Sequence, residues 1–142
     1  MAGYSGTPLA KKLGVKERAR VSFPGSPAGF LRLLAEMPPD VDVASEGEAE
    51  LDLIVFFTTK RDELKARFGT LASQLVPNGM LWISWPKKAS GMTTDLNENL
   101  VREIGLEAGL VDTKVCAIDE TWSGLKFVFR LKDRPSSSKR LS

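Results

Sequence analysis

The run Leu51-Asp52-Leu53-Ile54-Val55-Phe56-Phe57 constrains this chain more than any other stretch. Apart from Asp52 it is continuously apolar, and branched and aromatic side chains dominate it. A strand with one wet face would alternate, so this run predicts a central strand covered on both faces. A second run of the same kind is Met80-Leu81-Trp82-Ile83-Ser84-Trp85. Between them Leu64, Phe68, Leu71, Ala72 and Leu75 fall at helical spacing. Strand, helix and strand in that order make a parallel unit whose helix packs on the sheet.

The flanking segments extend this pattern. Leu9 and Leu13 lie four apart before Gly14, which predicts one helical turn with a glycine end. Residues 19–23 alternate as a short strand, and Pro24-Gly25-Ser26-Pro27 breaks it. Ser26 is expected to cap a helix with Pro27 at its first position, running through Phe30, Leu31, Leu34 and Ala35 and stopping before Pro38-Pro39. Residues 41–43 suggest a short strand, and residues 45–50 a polar turn. Thr58 or Thr59 is the expected cap of the helix after the central strand. Pro77-Asn78-Gly79 reads as a turn, and Pro86 as the end of the second buried strand. After a polar loop at 87–94, a helix is expected from about Asp95, with Asp95 and Glu98 as a capping box. Leu96, Leu100, Val101, Ile104 and Ala108 would face inward, and Gly109 would close it. Strands at 110–118 and 125–131 are joined by only residues 119–124, a link that permits an antiparallel pair and excludes a helical crossover. The expected fold is α/β: a three-layer, Rossmann-like, mostly parallel sheet with a C-terminal antiparallel strand pair. Residues 1–134 would form a single domain, with 135–142 a disordered basic tail.

Charge and composition narrow the function. The formal net charge of +2 is a tail effect: Pro135 to Ser142 hold Lys139 and Arg140 and no acid, and residues 1–134 are formally neutral. The basic excess is small and no RNA-binding or zinc signature is present, so nucleic acid is not an expected partner. The chain has no His and one Cys, which removes His bases, His-containing triads and an intrachain disulfide. No metal is expected. No stretch is long enough to span a membrane and the start has no signal pattern, so the expectation is a cytoplasmic protein with a reduced thiol. The acid-rich run from Glu36 to Asp52 and the basic residues Lys11, Lys12, Lys16, Arg18 and Arg20 form separated patches, which suit self-association or partner docking.

Three loops fall where the carboxyl edge of such a sheet should open, the usual ligand edge of α/β folds. The first holds Gly25, Ser26 and Gly29. Its amides could meet an anion, yet its spacing is neither GxGxxG nor GxxxxGK[ST] and both prolines remove donors, so a tight strand-to-helix turn fits better. The second holds Lys87, Lys88 and Ser90, suited to a phosphate or carboxylate, or equally to a solvated loop. The third holds Asp119, Glu120 and Trp122. Trp122 could stack on a ring, but a place at the core edge is favoured, and two carboxylates alone do not make a metal site. Cys116, inside a strand, reads as a small buried hydrophobe.

Residues 52–85 resemble the fourth and fifth strands of class I S-adenosylmethionine-dependent methyltransferases: an acid opening an apolar strand, a helix, Leu75-Val76-Pro77-Asn78-Gly79, then a strand. The closing strand pair is similar to that superfamily's terminal antiparallel pair. The resemblance implies a methyltransferase-like fold. The family's glycine-rich cofactor loop would fall near Phe23 to Gly29, where this chain carries two prolines, and its acid after the second strand could match only Glu46. One strand–helix unit is short of the full core. The whole chain also resembles the DUF3052 family of uncharacterised small bacterial proteins, through residues 3–14, Trp85-Pro86-Lys87-Lys88-Ala89-Ser90-Gly91, and residues 111–131 with Cys116, Asp119, Glu120, Thr121 and Trp122. That resemblance implies a bacterial source and no known activity.

The resulting expectation is a methyltransferase-like domain that acts as a binding or assembly module without catalysis and without a cofactor. Its partner would be a small molecule or a protein, a second copy of the chain included. The alternative is a small S-adenosylmethionine-dependent methyltransferase, or a binder of a phosphorylated metabolite, using the carboxyl edge of the sheet.

Overall fold

The computed structural model describes residues 8–34 and 36–133. Six strands form one sheet in the order β2-β1-β3-β4-β6-β5. They are β1 (Arg20–Ser22), β2 (Asp42–Val43), β3 (Leu51–Phe57), β4 (Leu75–Pro86), β5 (Leu110–Ala117) and β6 (Trp122–Phe129). β2, β1, β3 and β4 are parallel, and β6 lies antiparallel between β4 and β5. This is the three-layer Rossmann-like arrangement that the apolar runs predict, with the antiparallel pair at the C-terminal side.

Helices cover both faces. The helices are α1 (Leu9–Leu13), α2 (Phe30–Leu33), α3 (Arg61–Ser73) and α4 (Glu98–Glu107). On one face Leu64, Phe68 and Leu71 of α3 and Val101 and Ile104 of α4 pack on Ile54, Phe56, Leu81, Ile83, Leu125 and Phe127. On the other, Ala10 and Leu13 of α1 and Phe30 of α2 pack on Val21, Leu53, Val55, Phe57 and Trp82. Trp82 also donates its indole N–H to the carbonyl of Leu13 at 2.8 Å, which pins α1 to the sheet. Every side chain of β3 except the half-buried Asp52 is buried, as the two-sided covering requires.

Several local expectations are corrected by tertiary contacts. The second helix begins at Phe30 rather than Pro27, because Gly29 enters at φ +87 and breaks the helical path; Ser26 caps nothing and its N–H closes a turn on the carbonyl of Phe23. Asp95 does not cap its own helix. Its carboxylate accepts the N–H of Arg61 at 2.8 Å and so caps α3, while Asn97 caps α4 by accepting the N–H of Leu100 at 2.9 Å. Pro77-Asn78-Gly79 lies within β4, where the pairing slips from Leu51↔Leu75 to Leu53↔Met80, so the turn residues form a bulge rather than a break. Leu75 opens that strand instead of ending α3. Trp122, Ser123 and Gly124 join β6, which shortens the final connection to residues 118–121. Ala35 and the tail at 135–142 lie outside the described residues.

The acid-rich segment is partly neutralised. Arg20 bonds Asp42 at 3.1 Å and also pairs with Glu48, and Arg67 bonds Glu46 at 2.7 Å. Among the described residues no helix is long and apolar enough to cross a membrane.

Candidate functional site

After β1 the chain passes to β2 on one side, and after β2 it returns to β3 on the other. The carboxyl ends of β1 and β3 therefore flank the switch point, where open α/β sheets take ligands. The loop at residues 23–29 leaves β1 there, and residues 58–60 leave β3. Pro86, which ends β4, pairs with Trp122, which begins β6, so the 87–91 loop and the 118–121 turn stand on the same edge. The topology thus brings all three predicted loops to one edge of the sheet.

The first loop is held down on β3. The N–H of Phe57 donates to the carbonyl of Pro24 at 3.1 Å. Gly25 has φ +74, and a Cβ there would lie 2.5 Å from the carbonyl oxygen of Phe57. The backbone runs so close that only glycine fits. Ser26 and Gly29 are exposed. Directly beneath, four rings pack edge to face: Phe23 with Phe30 at 5.2 Å, Phe30 with Phe57 at 4.8 Å, and Phe57 with Trp122 at 5.2 Å. None of the four is more than 9% exposed. The row joins the loop after β1 to α2, β3 and β6 at the carboxyl edge. In the sequence Phe23, Phe30 and Phe57 are ordinary apolar positions, and nothing local signals that their segments converge.

The second and third loops are tied together. The N–H of Lys87 donates to the carbonyl of Thr121 at 2.7 Å. Lys87 is half-buried and Lys88 exposed. Ser90 accepts the N–H of Met92 at 3.1 Å. Asp119 accepts the N–H groups of both Thr121 and Trp122 at 2.8 Å, so its carboxylate shapes the hairpin turn. Glu120 is exposed and Trp122 is buried in the ring row.

Nothing in the local pattern singles out Ser84. It is fully buried on β4, between Phe57 of β3 and Gly124 of β6, and its hydroxyl has no hydrogen-bond partner. A shallow depression on α4, lined by Asn97, Glu98, Asn99, Leu100 and Glu103, includes none of the predicted site residues. Among the described residues no three potential ligating side chains are grouped to hold a metal ion.

No family model matches the sequence, and no curated protein sequence matches it. Solved structures do match the fold. A SAM-dependent methyltransferase from Aquifex aeolicus superposes with a TM-score of 0.61 at 19% identity, covering 84% of this chain and 86% of that one. A TehB-like SAM-dependent methyltransferase from Corynebacterium glutamicum superposes with a TM-score of 0.57 at 13% identity, covering 91% of each chain. Magnesium protoporphyrin IX methyltransferase from Synechocystis PCC 6803, with bound SAH, gives a TM-score of 0.57 at 11% identity, covering 86% of this chain and 78% of that one. The fold is methyltransferase-like; identities this low carry the fold alone.

Proposed function

We propose that this chain is a methyltransferase-like domain that serves as a binding or assembly module rather than as a catalyst. The observation that carries this reading is the close packing of the first loop on β3. The loop that would cradle a cofactor is bonded to β3, leaves no room for a Cβ at Gly25, and covers four packed rings. The first loop offers S-adenosylmethionine few backbone donors. Its two prolines offer no N–H, and the backbone at Gly25 lies against β3.

A second reading is favoured by the comparisons, since the matching structures include SAM-dependent methyltransferases and one that holds SAH. Under it, Gly25, Ser26, Gly29, Lys87, Lys88, Ser90, Asp119, Glu120 and Trp122 are the binding candidates. Calorimetric titration with S-adenosylmethionine and S-adenosylhomocysteine separates the two. The module reading expects no heat of binding up to millimolar ligand. Saturable binding that is lost in a Trp122→Ala variant of unchanged fold would replace it with the second reading.

The same proposal includes membership of the DUF3052 family, resting on the sequence runs given above. It also includes a bacterial, cytoplasmic setting, and a domain at 1–134 followed by a basic tail. Cell fractionation with an antibody to the chain tests the location.

A further inference from the structure

The face of the sheet that α1 covers gathers positive charge without a counter-charge. Lys12 lies in the last turn of α1. Lys114 of β5 and Lys126 of β6 are directly paired across the strands. A bulge brings them together. Asp112 pairs with Phe127 and bonds Arg102 of α4 at 2.9 Å, on the face that α4 covers. One extra residue, Thr113, then intervenes before Lys114 pairs with Lys126. Strict alternation would put Lys114 on the side of Asp112; the bulge turns it to the side of α1. There its ammonium group reaches the carbonyl of Lys12 at 3.5 Å. Lys126 extends over the Trp82 ring, 6.0 Å from its centroid.

Like charges opposite one another on a sheet are destabilising. The ion pairs among the described residues are made by arginines, Arg20, Arg67 and Arg102 among them. None of the three lysines makes an ion pair among the described residues. The remaining segments, residues 1–7, Ala35 and 134–142, contain no acidic side chain that could serve. Cys116, half-buried two residues beyond Lys114, feels all three lysines. Its own burial outweighs their pull and pushes the thiol up, so it stays protonated at neutral pH and supplies no negative charge. Burial, reinforced by Lys114, pushes the Lys126 ammonium down.

We propose that Lys12, Lys114 and Lys126 form a binding site for a small phosphate-bearing molecule. Three ammonium groups match a compact group with two or more negative charges, whereas a lone carboxylate would leave most of the repulsion in place. The site uses none of the carboxyl-edge candidates, so it stands whether or not that edge binds a ligand.

Cys116 is the chain's only cysteine, so thiol labelling reports this place alone. Iodoacetate and iodoacetamide perform the same reaction: the thiolate sulfur bonds the methylene carbon and iodide leaves. They differ in charge. The site predicts that anionic iodoacetate reacts at least about threefold faster relative to iodoacetamide at Cys116 than at a small thiol peptide. Inorganic pyrophosphate at about 5 mM, at matched ionic strength, should abolish that preference. A Lys12→Gln/Lys114→Gln double variant should lose both effects with a melting temperature unchanged or raised, and Lys65→Gln, on exposed α3 surface, should lose neither. No effect of pyrophosphate on the wild-type protein overturns the proposal. So does an effect that persists in the double variant. Stronger protection by a single-stranded oligonucleotide or by phosphatidylglycerol vesicles, at equal phosphate concentration, would overturn the small-ligand assignment.

Discussion

Gly25 and Gly29 lie in the same loop, both at positive φ, and differ in one respect. A Cβ on Gly29 would meet nothing within 4 Å, whereas one on Gly25 would lie 2.5 Å from a backbone oxygen of β3. Alanine at either position bears the cost of the left-handed region, about 1 kcal/mol. At Gly25 it must also push the loop off Phe57, against a strand buried on both faces that cannot move away. Overpacking of that kind adds about 1–3 kcal/mol. Gly25→Ala is therefore expected to cost about 2–4 kcal/mol and Gly29→Ala about 1 kcal/mol. Urea unfolding followed by the fluorescence of Trp82, Trp85 and Trp122, all buried, measures the difference. With an m-value of about 2 kcal/mol/M, a 3 kcal/mol loss lowers the midpoint by about 1.5 M. The Phe57 amide, which donates to Pro24, should also exchange faster with solvent in Gly25→Ala and not in Gly29→Ala. Equal costs for the two variants, within about 0.5 kcal/mol, would refute the claim that the loop is clamped to β3.

Ser84→Ala removes a buried hydroxyl that has no partner, so stability should be unchanged or rise by up to about 1 kcal/mol; a loss above that in the same urea assay would reveal an acceptor or a bound water. Asp119→Ala strips the acceptor from two amides of the hairpin turn and should cost about 1–3 kcal/mol, with Asp119→Asn recovering part of it; a cost near zero would mean the turn holds itself. Burial raises the Cys116 thiol, so its alkylation by neutral iodoacetamide should titrate with a midpoint above about 8.5, the ordinary thiol value. By linkage, this contribution to stability is complete below the ordinary thiol range and is lost as pH rises toward the raised value. A midpoint below the ordinary value would show that the three lysines dominate instead.

Periodicity and punctuation determined a good deal by themselves. The apolar run of β3 required a sheet covered on both faces, and the short 119–124 connection permitted an antiparallel final pair and excluded a helical crossover; both are local facts about spacing and reach. Gly14 and Gly109 ended helices because their positions demand positive φ. Tertiary structure decided matters that depend on distant segments. Asp95 was free to cap α4 by its spacing, yet Arg61, 34 residues away, took its carboxylate. Phe23, Phe30, Phe57 and Trp122 look alike as apolar positions, and only the strand order makes them one row beneath the switch point. The bulge at Thr113 is invisible in the sequence pattern, but it reverses the side on which Lys114 stands and creates the lysine cluster. Sequence thus fixes which residues alternate or repeat, because those forces act over a few residues. The partner of a carboxylate, a ring or a charge is set by chain topology, because such contacts join residues that only the fold brings near.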